Sequence, residues 1–149
     1  MRGRKPKRNL KRGLRPVPGK KLVRERMFEA VIETDSGVRV RSTYEKQCAD
    51  LLFENNVSFQ YEPLMLLEGR QFRPDFYLPD YNLFIEICGY NHQPYYKERI
   101  KLKKRIYEKS GLNAVFINHD GKGRIDGKLA KCLEPFGIKT AIKDAGDGR

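Results

Sequence analysis

An acidic residue inside an apolar strand is the feature that most restricts how this chain can fold. The segment Leu83–Cys88, LFIEIC, is apolar throughout except for Glu86. Such a run is typical of a strand that is buried on both faces of a sheet. An unpaired carboxylate costs on the order of several kcal/mol when it is buried. The fold must therefore bring a metal ion or a cationic side chain to Glu86.

A second acid precedes this strand. Asp75 follows Pro74, and the turn-forming run Pro79–Asn82 connects its segment to the Glu86 strand. Two strands joined by a tight turn bring such side chains close together. Mg²⁺ prefers hard oxygen ligands, so we expect Asp75, Glu86 and the backbone carbonyl of Ile87 to bind Mg²⁺, with Mn²⁺ as an alternative. The other interpretation is that Asp75 closes a turn and Glu86 pairs with a cation.

Hydrophobic periodicity and turn signals around these acids predict an α/β domain. A hairpin is expected around residues 35–37, and further strands are expected in VSFQYE, PLMLLEG, QFRPDFYLP, LFIEIC, NAVFIN and IKTAI. Helices are expected over about residues 43–55, 94–109 and 126–133. This order predicts a central mixed β-sheet flanked by helices.

A third acid lies in the first predicted helix. Ser42 and Glu45 have the spacing of a capping box. Glu45 also shares a helix face with Cys48 and Leu52, at the margin of the buried stripe. It is therefore expected to cap the helix, to contribute to the site of Asp75 and Glu86, or to do both.

A lysine in the second helix is a candidate partner for these acids. The helix row that should face the sheet consists of Tyr96, Ile100, Lys103 and Tyr107. A lysine on an otherwise apolar row is expected to meet an acid, unless its stem only snorkels to solvent. Lys104 is the second candidate.

The positive charge is concentrated at the N-terminus. Residues 1–26 contain twelve Arg or Lys and one Glu, a net of +11 out of +12 for the chain. Such a block stays unfolded alone and binds polyanions, so DNA is the expected partner. A membrane surface is not expected, because the block has no amphipathic apolar face. Contacts with DNA are assigned to Arg2, Arg4, Lys5, Lys7, Arg8, Lys11 and Arg12. RGRKPKR resembles the AT-hook, and a generic basic arm is the alternative.

The composition excludes several other classes of protein. No apolar run approaches the ~20 residues that a membrane span needs, and no apolar stretch follows the basic start, so a signal peptide is not expected. Cys48, Cys88 and Cys132 show no C-x-x-C spacing, which argues against a disulfide framework and a zinc knuckle. A reducing, cytoplasmic location is expected.

Together these motifs resemble the PD-(D/E)XK, or restriction-endonuclease-like, nuclease superfamily. RSTYEKQCADLLFENNVSFQYEP and FRPDFYLPDYNLFIEICG carry the resemblance, which covers about residues 38–118. The family pattern is a helical Glu, a Pro-Asp pair and a strand with Glu-x-Lys. Glu45, Pro74–Asp75 and Glu86 fall on those positions.

The sequence departs from this pattern at Cys88, where the family has lysine. A thiol supplies no positive charge, so either the site is inactive or a lysine reaches in from elsewhere. Branches of the family with a strand end like Glu86–Gly89 imply that Lys103 replaces it from the following helix. The resemblance to very-short-patch repair nucleases makes His92 a candidate general acid or base, with an ordinary surface residue as the alternative. His119 is expected at the sheet edge.

The resemblance implies a Mg²⁺-dependent DNA endonuclease that hydrolyses phosphodiester bonds, of a homing or junction type from a phage or mobile element. The implied catalytic residues are Glu45, Asp75, Glu86, His92 and Lys103. The domains would be a basic flexible arm (1–26), a restriction-endonuclease-like core (27–143) and a flexible tail (144–149). A double-strand cut would need a homodimer or two successive nicks. The nucleoid, or the host cytoplasm for a phage enzyme, is the expected location. The alternative is a catalytically inactive nucleic-acid-binding protein that uses the arm.

Overall fold

The computed structural model describes residues 29–89 and 93–142, and they form a mixed α/β structure. The strands are β1 (Ile32–Glu33), β2 (Arg39–Val40), β3 (Gln60–Tyr61), β4 (Met65–Leu67), β5 (Arg70–Phe72), β6 (Phe76–Leu78), β7 (Leu83–Cys88) and β8 (Asn113–Asn118). The helices are α1 (Thr43–Glu54), α2 (Pro94–Lys109) and α3 (Asp126–Leu133), and a 3₁₀ turn follows at Glu134–Phe136. The predicted basic arm, the tail and His92 lie outside the described residues.

The central sheet has the strand order β3-β6-β7-β8 and is mixed, as predicted. β3 pairs with β6 and β6 pairs with β7 in the antiparallel direction, whereas β7 and β8 are parallel. A parallel pair needs a long crossover, and α2 provides it. Two separate hairpins, β1–β2 and β4–β5, complete the strand arrangement.

The side chains of β7 alternate between two packed faces, which explains why this strand is apolar. On one face, Leu83 and Ile85 join a core cluster with side chains of α1 and α3. On the other face, Phe84 packs with Ile106 and Tyr107 of α2. Because alternate side chains share a face, Glu86 lies on the same side as Phe84 and points toward α2.

The helix ends follow from identifiable caps. Ser42 is the N-cap of α1, and its Oγ accepts a hydrogen bond from the Glu45 amide at 3.1 Å, as predicted. The Glu45 carboxylate accepts from the Arg41 amide at 2.9 Å, one residue before the position that a capping box predicts. Pro94 lies at the start of α2, where its missing N–H costs nothing. None of the helices in the described residues is long and apolar enough to cross a membrane.

The segment IKTAI, residues 138–142, is not a strand, contrary to prediction. Ile138 is buried in the core cluster of α1 and α3 rather than at a sheet edge. The backbone of Ala141 is held by Asn55, whose Oδ1 accepts from the Ala141 amide at 2.8 Å. Ile138 therefore closes the end of the core next to α1, whereas Ile142 is exposed.

Candidate functional site

A cleft of about 1020 Å³ opens where β7 and β8 end. The carboxyl ends of parallel strands are a common place for ligand sites in α/β structures. The beginning of α1, the first half of α2 and the loop after β8 also line this cleft. It brings together the described members of the predicted site, which are Glu45, Asp75, Glu86, Ile87 and Lys103.

Of the two predicted metal ligands, Glu86 lies on β7 and Asp75 immediately precedes the neighbouring strand β6. β6 pairs with β7 so that Phe76 is opposite Ile85, and continuing this register by one residue sets Asp75 opposite Glu86. Asp75 Oδ2 accepts a hydrogen bond from the Ile87 amide at 2.7 Å. The turn and the strand pairing therefore bring the two carboxylates into one cleft.

The carbonyl of Ile87 points toward the same side as its amide. In a strand, the N–H and C=O of one residue point in the same lateral direction, and the Ile87 amide contacts Asp75. The residue opposite Ile87 in the continued register is Pro74, which has no N–H to donate to that carbonyl. Two carboxylates and a carbonyl form an oxygen-rich donor set, which suits Mg²⁺ or Mn²⁺.

The acidic side chains of the cleft do not by themselves form a complete metal site. In residues 29–89 and 93–142, no group of three or more His, Cys, Asp and Glu side chains has the arrangement of a metal site. Mg²⁺ normally keeps several waters and is bound through one or two carboxylates plus substrate phosphates. An ion at Asp75 and Glu86 would therefore need the carbonyl, water and a ligand to complete its coordination.

The buried carboxylate of Glu86 contacts two donors from α2. Its side chain is 3% exposed, and Lys103 Nζ lies 2.7 Å from Oε1 with the Lys103 side chain 12% exposed. The Tyr107 hydroxyl donates to Oε2 at 2.5 Å. Burial lowers the pKa of Lys103, but the carboxylates of Glu86 and Asp75 more than offset it, so the pKa is raised above its usual value. Lys103 therefore stays charged, and its expected contact with an acid is present.

The neighbouring lysine does not take this role. Lys104 is exposed on α2, and its Nζ lies over the Phe116 ring, 5.2 Å from the centroid. Lys103 rather than Lys104 is thus the lysine that meets Glu86. A position one residue along a helix turns the side chain by about 100°, which separates the two lysines onto different faces.

Cys88 lies on the same face as Glu86 and is buried. Burial, together with the charges of Glu86 and Asp75, raises the pKa of the Cys88 thiol to about 12. The thiol is therefore protonated at neutral pH. The only positive charge in contact with Glu86 among the described residues comes from Lys103.

Glu45 of α1 also lines the cleft and is buried, with 9% of its surface exposed. Its Oε1 accepts hydrogen bonds from the Tyr61 hydroxyl at 2.8 Å and from the Arg41 amide at 2.9 Å. Burial raises the pKa of Glu45 above its usual value. Arg41 forms an ion pair with Glu62 at 2.8 Å. Glu45 thus supports the start of α1 and also lines the cleft.

The cleft also contains His119, which the sequence indicated only as a sheet-edge residue. Its ring stacks on Tyr44, with 3.8 Å between ring centroids. Burial lowers the pKa of His119, so the ring is neutral at pH 7. The signal for this position is the register of β7 and β8, which pairs Cys88 with Asn118 and so brings the next residues together. That register is not readable from either strand alone.

The exposed edge of the cleft is mostly basic, although it also carries Asp120. The acids Glu45 and Glu86 are buried, whereas the basic side chains of the loop after β8 and of α3 are exposed. These exposed cations are Lys122, Arg124 and Lys128. A polyanion would meet the cations first and would approach the acids only with a cation between them.

No family model, curated protein or solved structure matches this chain. The resemblance to the PD-(D/E)XK superfamily therefore stays a prediction from its motifs.

Proposed function

We propose that this protein is a metal-dependent DNA endonuclease with a restriction-endonuclease-like core. The observation that carries the proposal is the convergence of Asp75, Glu86 and Lys103 in one cleft. Two carboxylates that face a DNA phosphate repel it unless a cation lies between them. A protein that only binds DNA gains nothing from this arrangement, whereas phosphodiester hydrolysis uses it.

Asp75, Glu86 and the Ile87 carbonyl would hold Mg²⁺, with Mn²⁺ as a substitute. Such an ion, when bound, lowers the pKa of a coordinated water and neutralises phosphate charge. Lys103 contributes a fixed positive charge toward the phosphate, because Glu86 and Asp75 keep its ammonium protonated. Glu45 lines the same cleft and would support a second ion.

The exposed cations at the edge of the cleft would hold the DNA backbone. Lys122 and Lys128 are exposed and line the cleft. Each phosphate contact of this kind releases counterions, so binding should weaken steeply with salt. The basic arm of residues 1–26 would add sequence-independent contacts to the same duplex.

The test is nicking of supercoiled plasmid with and without Mg²⁺. We expect the wild-type protein to nick only with the ion, and Asp75→Asn, which keeps an oxygen acceptor for the Ile87 amide, to lose on the order of 10²-fold or more in rate. The matched control is Asp80→Asn, an exposed acid in the turn before β7, which should nick like wild type. Equal DNA binding without nicking by any of the three proteins would overturn the proposal.

A catalytically inactive nucleic-acid-binding protein is the second candidate. It is favoured by the pairing of Glu86 with Lys103 and Tyr107, because this pairing satisfies the buried acid without a metal. In that case Mg²⁺ would change neither the plasmid nor the melting temperature of the protein.

The same plasmid assay tests for a homodimeric endonuclease. A homodimer that cuts both strands together would form linear plasmid without accumulating the nicked form.

A further inference from the structure

We propose that His119 is a further substrate-binding residue of this cleft, and that its imidazole donates the Nε2–H to a phosphate oxygen of the nucleic acid. This inference rests on the proposed function, since it assumes that the cleft receives a phosphodiester. It adds a hydrogen-bond donor that the motifs of the sequence do not contain.

His119 is held at the end of the parallel pair β7–β8. Its amide donates to the Cys88 carbonyl at 3.0 Å, which continues the ladder by one residue. A Cβ atom at Gly89 would lie 2.6 Å from His119 Cε1 and 2.8 Å from Nε2. The ring therefore occupies the space of a side chain at position 89, and only glycine allows this approach.

The ring is also fixed in its plane and in its tautomer. The stack on Tyr44 has an angle of 17° between the rings. The Gly121 amide donates to His119 Nδ1 at 3.2 Å, and an imidazole nitrogen that accepts a hydrogen bond carries no proton. The proton of the neutral ring is therefore on Nε2. A fixed donor of this kind is typical of residues that position a ligand.

The exposed charge around His119 is positive on balance, with Lys122 and Lys128 against Asp120. The ring is half-buried and lines the cleft together with the exposed Lys122 and Lys128. A neutral donor binds a phosphate oxygen by a charge-assisted hydrogen bond. It adds no positive charge that would compete with a metal ion for Asp75 and Glu86. The contact supplements the cations and leaves the carboxylates available.

The tautomer can be measured directly by ¹⁵N NMR of the histidine side chains. The chain has only two histidines, His92 and His119. In a His92→Gln variant, all remaining histidine signals therefore belong to His119. We expect a protonated Nε2 and an unprotonated Nδ1 at pH 7.5. Duplex DNA added in EDTA should shift Nε2 more than Nδ1. A proton on Nδ1, or signals that bound DNA leaves unchanged, would overturn the proposal.

The energetic test compares His119→Gln with His119→Asn. The amide nitrogen of glutamine reaches about the position of Nε2, whereas that of asparagine reaches about the position of Nδ1. Affinity for a labelled duplex is measured by anisotropy in EDTA at about 200 mM salt, where non-specific phosphate contacts are weakened. We expect His119→Asn to bind about tenfold more weakly, as for one hydrogen bond to a charged group, and His119→Gln to bind within about threefold of wild type.

The outcomes separate this inference from the proposed function. Equal affinities of both variants and wild type, or equal losses that follow a lowered melting temperature, would show that the ring is only structural. If wild type does not nick but His119→Asn alone weakens binding, the endonuclease proposal fails and the His119 contact stands. Gly89→Ala provides a second route, because it should displace the ring and weaken binding like His119→Asn.

Discussion

At the scale of single residues, the buried charge of Glu86 is stabilised by its neighbours. Its carboxylate is buried and satisfied by the Lys103 ammonium and the Tyr107 hydroxyl, both from α2. Removal of one partner of a buried ion pair leaves an uncompensated charge, which costs more than the pair itself contributes. The stability of the free protein and the charge of the proposed active site therefore rest on the same contact.

Lys103→Met should lower the free energy of unfolding by about 3–5 kcal/mol in EDTA, because it leaves Glu86 buried without a cation. Lys104→Met is the matched control, and it should stay within about 1 kcal/mol of wild type, because Lys104 is exposed and only its contact with the Phe116 ring is lost. Urea denaturation measures both. The double variant Glu86→Gln/Lys103→Met should be more stable than Lys103→Met and should not nick DNA. A Lys103→Met protein as stable as wild type would contradict the buried pair.

Glu45→Gln should stabilise the protein at neutral pH. Burial raises the folded-state pKa of Glu45 above the usual value of 4.5, so the stability that it contributes is full below that value and is lost as pH rises through the folded pKa. Glutamine keeps the oxygen that Tyr61 and Arg41 contact and never ionises. We expect the two melting temperatures to converge at pH 4 and the variant to be about 2–4 °C higher at pH 7. A lower melting temperature at pH 7 would contradict this assignment.

Most elements of secondary structure could be predicted because their signals are local. Ser42 caps α1, Pro94 begins α2, and alternating or continuous apolar runs mark β6 and β7. The contact of Lys103 with an acid was also predictable, since a helix period places that side chain toward the sheet. These predictions use only the spacing of residues within one segment, so they do not require the pairing of distant strands to be known.

The features that could not be predicted from the sequence depend on contacts between distant segments. The segment 138–142 has the apolar pattern of a strand, but its backbone bonds to the side chain of Asn55, 86 residues earlier. His119 could not be assigned to the cleft because its position depends on the register of β8 against β7. Both contacts are set by tertiary packing, which overrides local propensity.

Asn55 is therefore a structural residue at the scale of elements. Its Nδ2 donates to the Leu51 carbonyl at 2.8 Å at the end of α1, and its Oδ1 accepts from Ala141. Asn55→Ala should lower the free energy of unfolding by about 1–2 kcal/mol. Plasmid nicking should be unchanged at a temperature where the variant is folded. A loss of nicking by folded Asn55→Ala would indicate that the last described segment contributes to the site.

At the scale of the whole molecule, charge and burial divide the work of the proposed enzyme. The net charge of +12 attracts a polyanion, and the exposed cations of the cleft meet it first. The half-buried Asp75, just before β6, and the buried Glu86 of β7 would then act with a divalent cation, while Lys103 offsets the charge of Glu86 in the free protein. The proposed hydrolysis requires that a divalent cation binds between Asp75 and Glu86.

The most direct measurement locates bound Mn²⁺ through the paramagnetic broadening that the ion causes in the amide NMR signals of nearby residues. Substoichiometric Mn²⁺ should broaden the amides of Ile87 and Cys88 in the wild-type protein before those of the Asp80 turn. Asp75→Asn should abolish this selective broadening while its spectrum stays that of a folded protein. Broadening that is absent from β7, or that Asp75→Asn leaves unchanged, would contradict the metal site and with it the proposed hydrolysis.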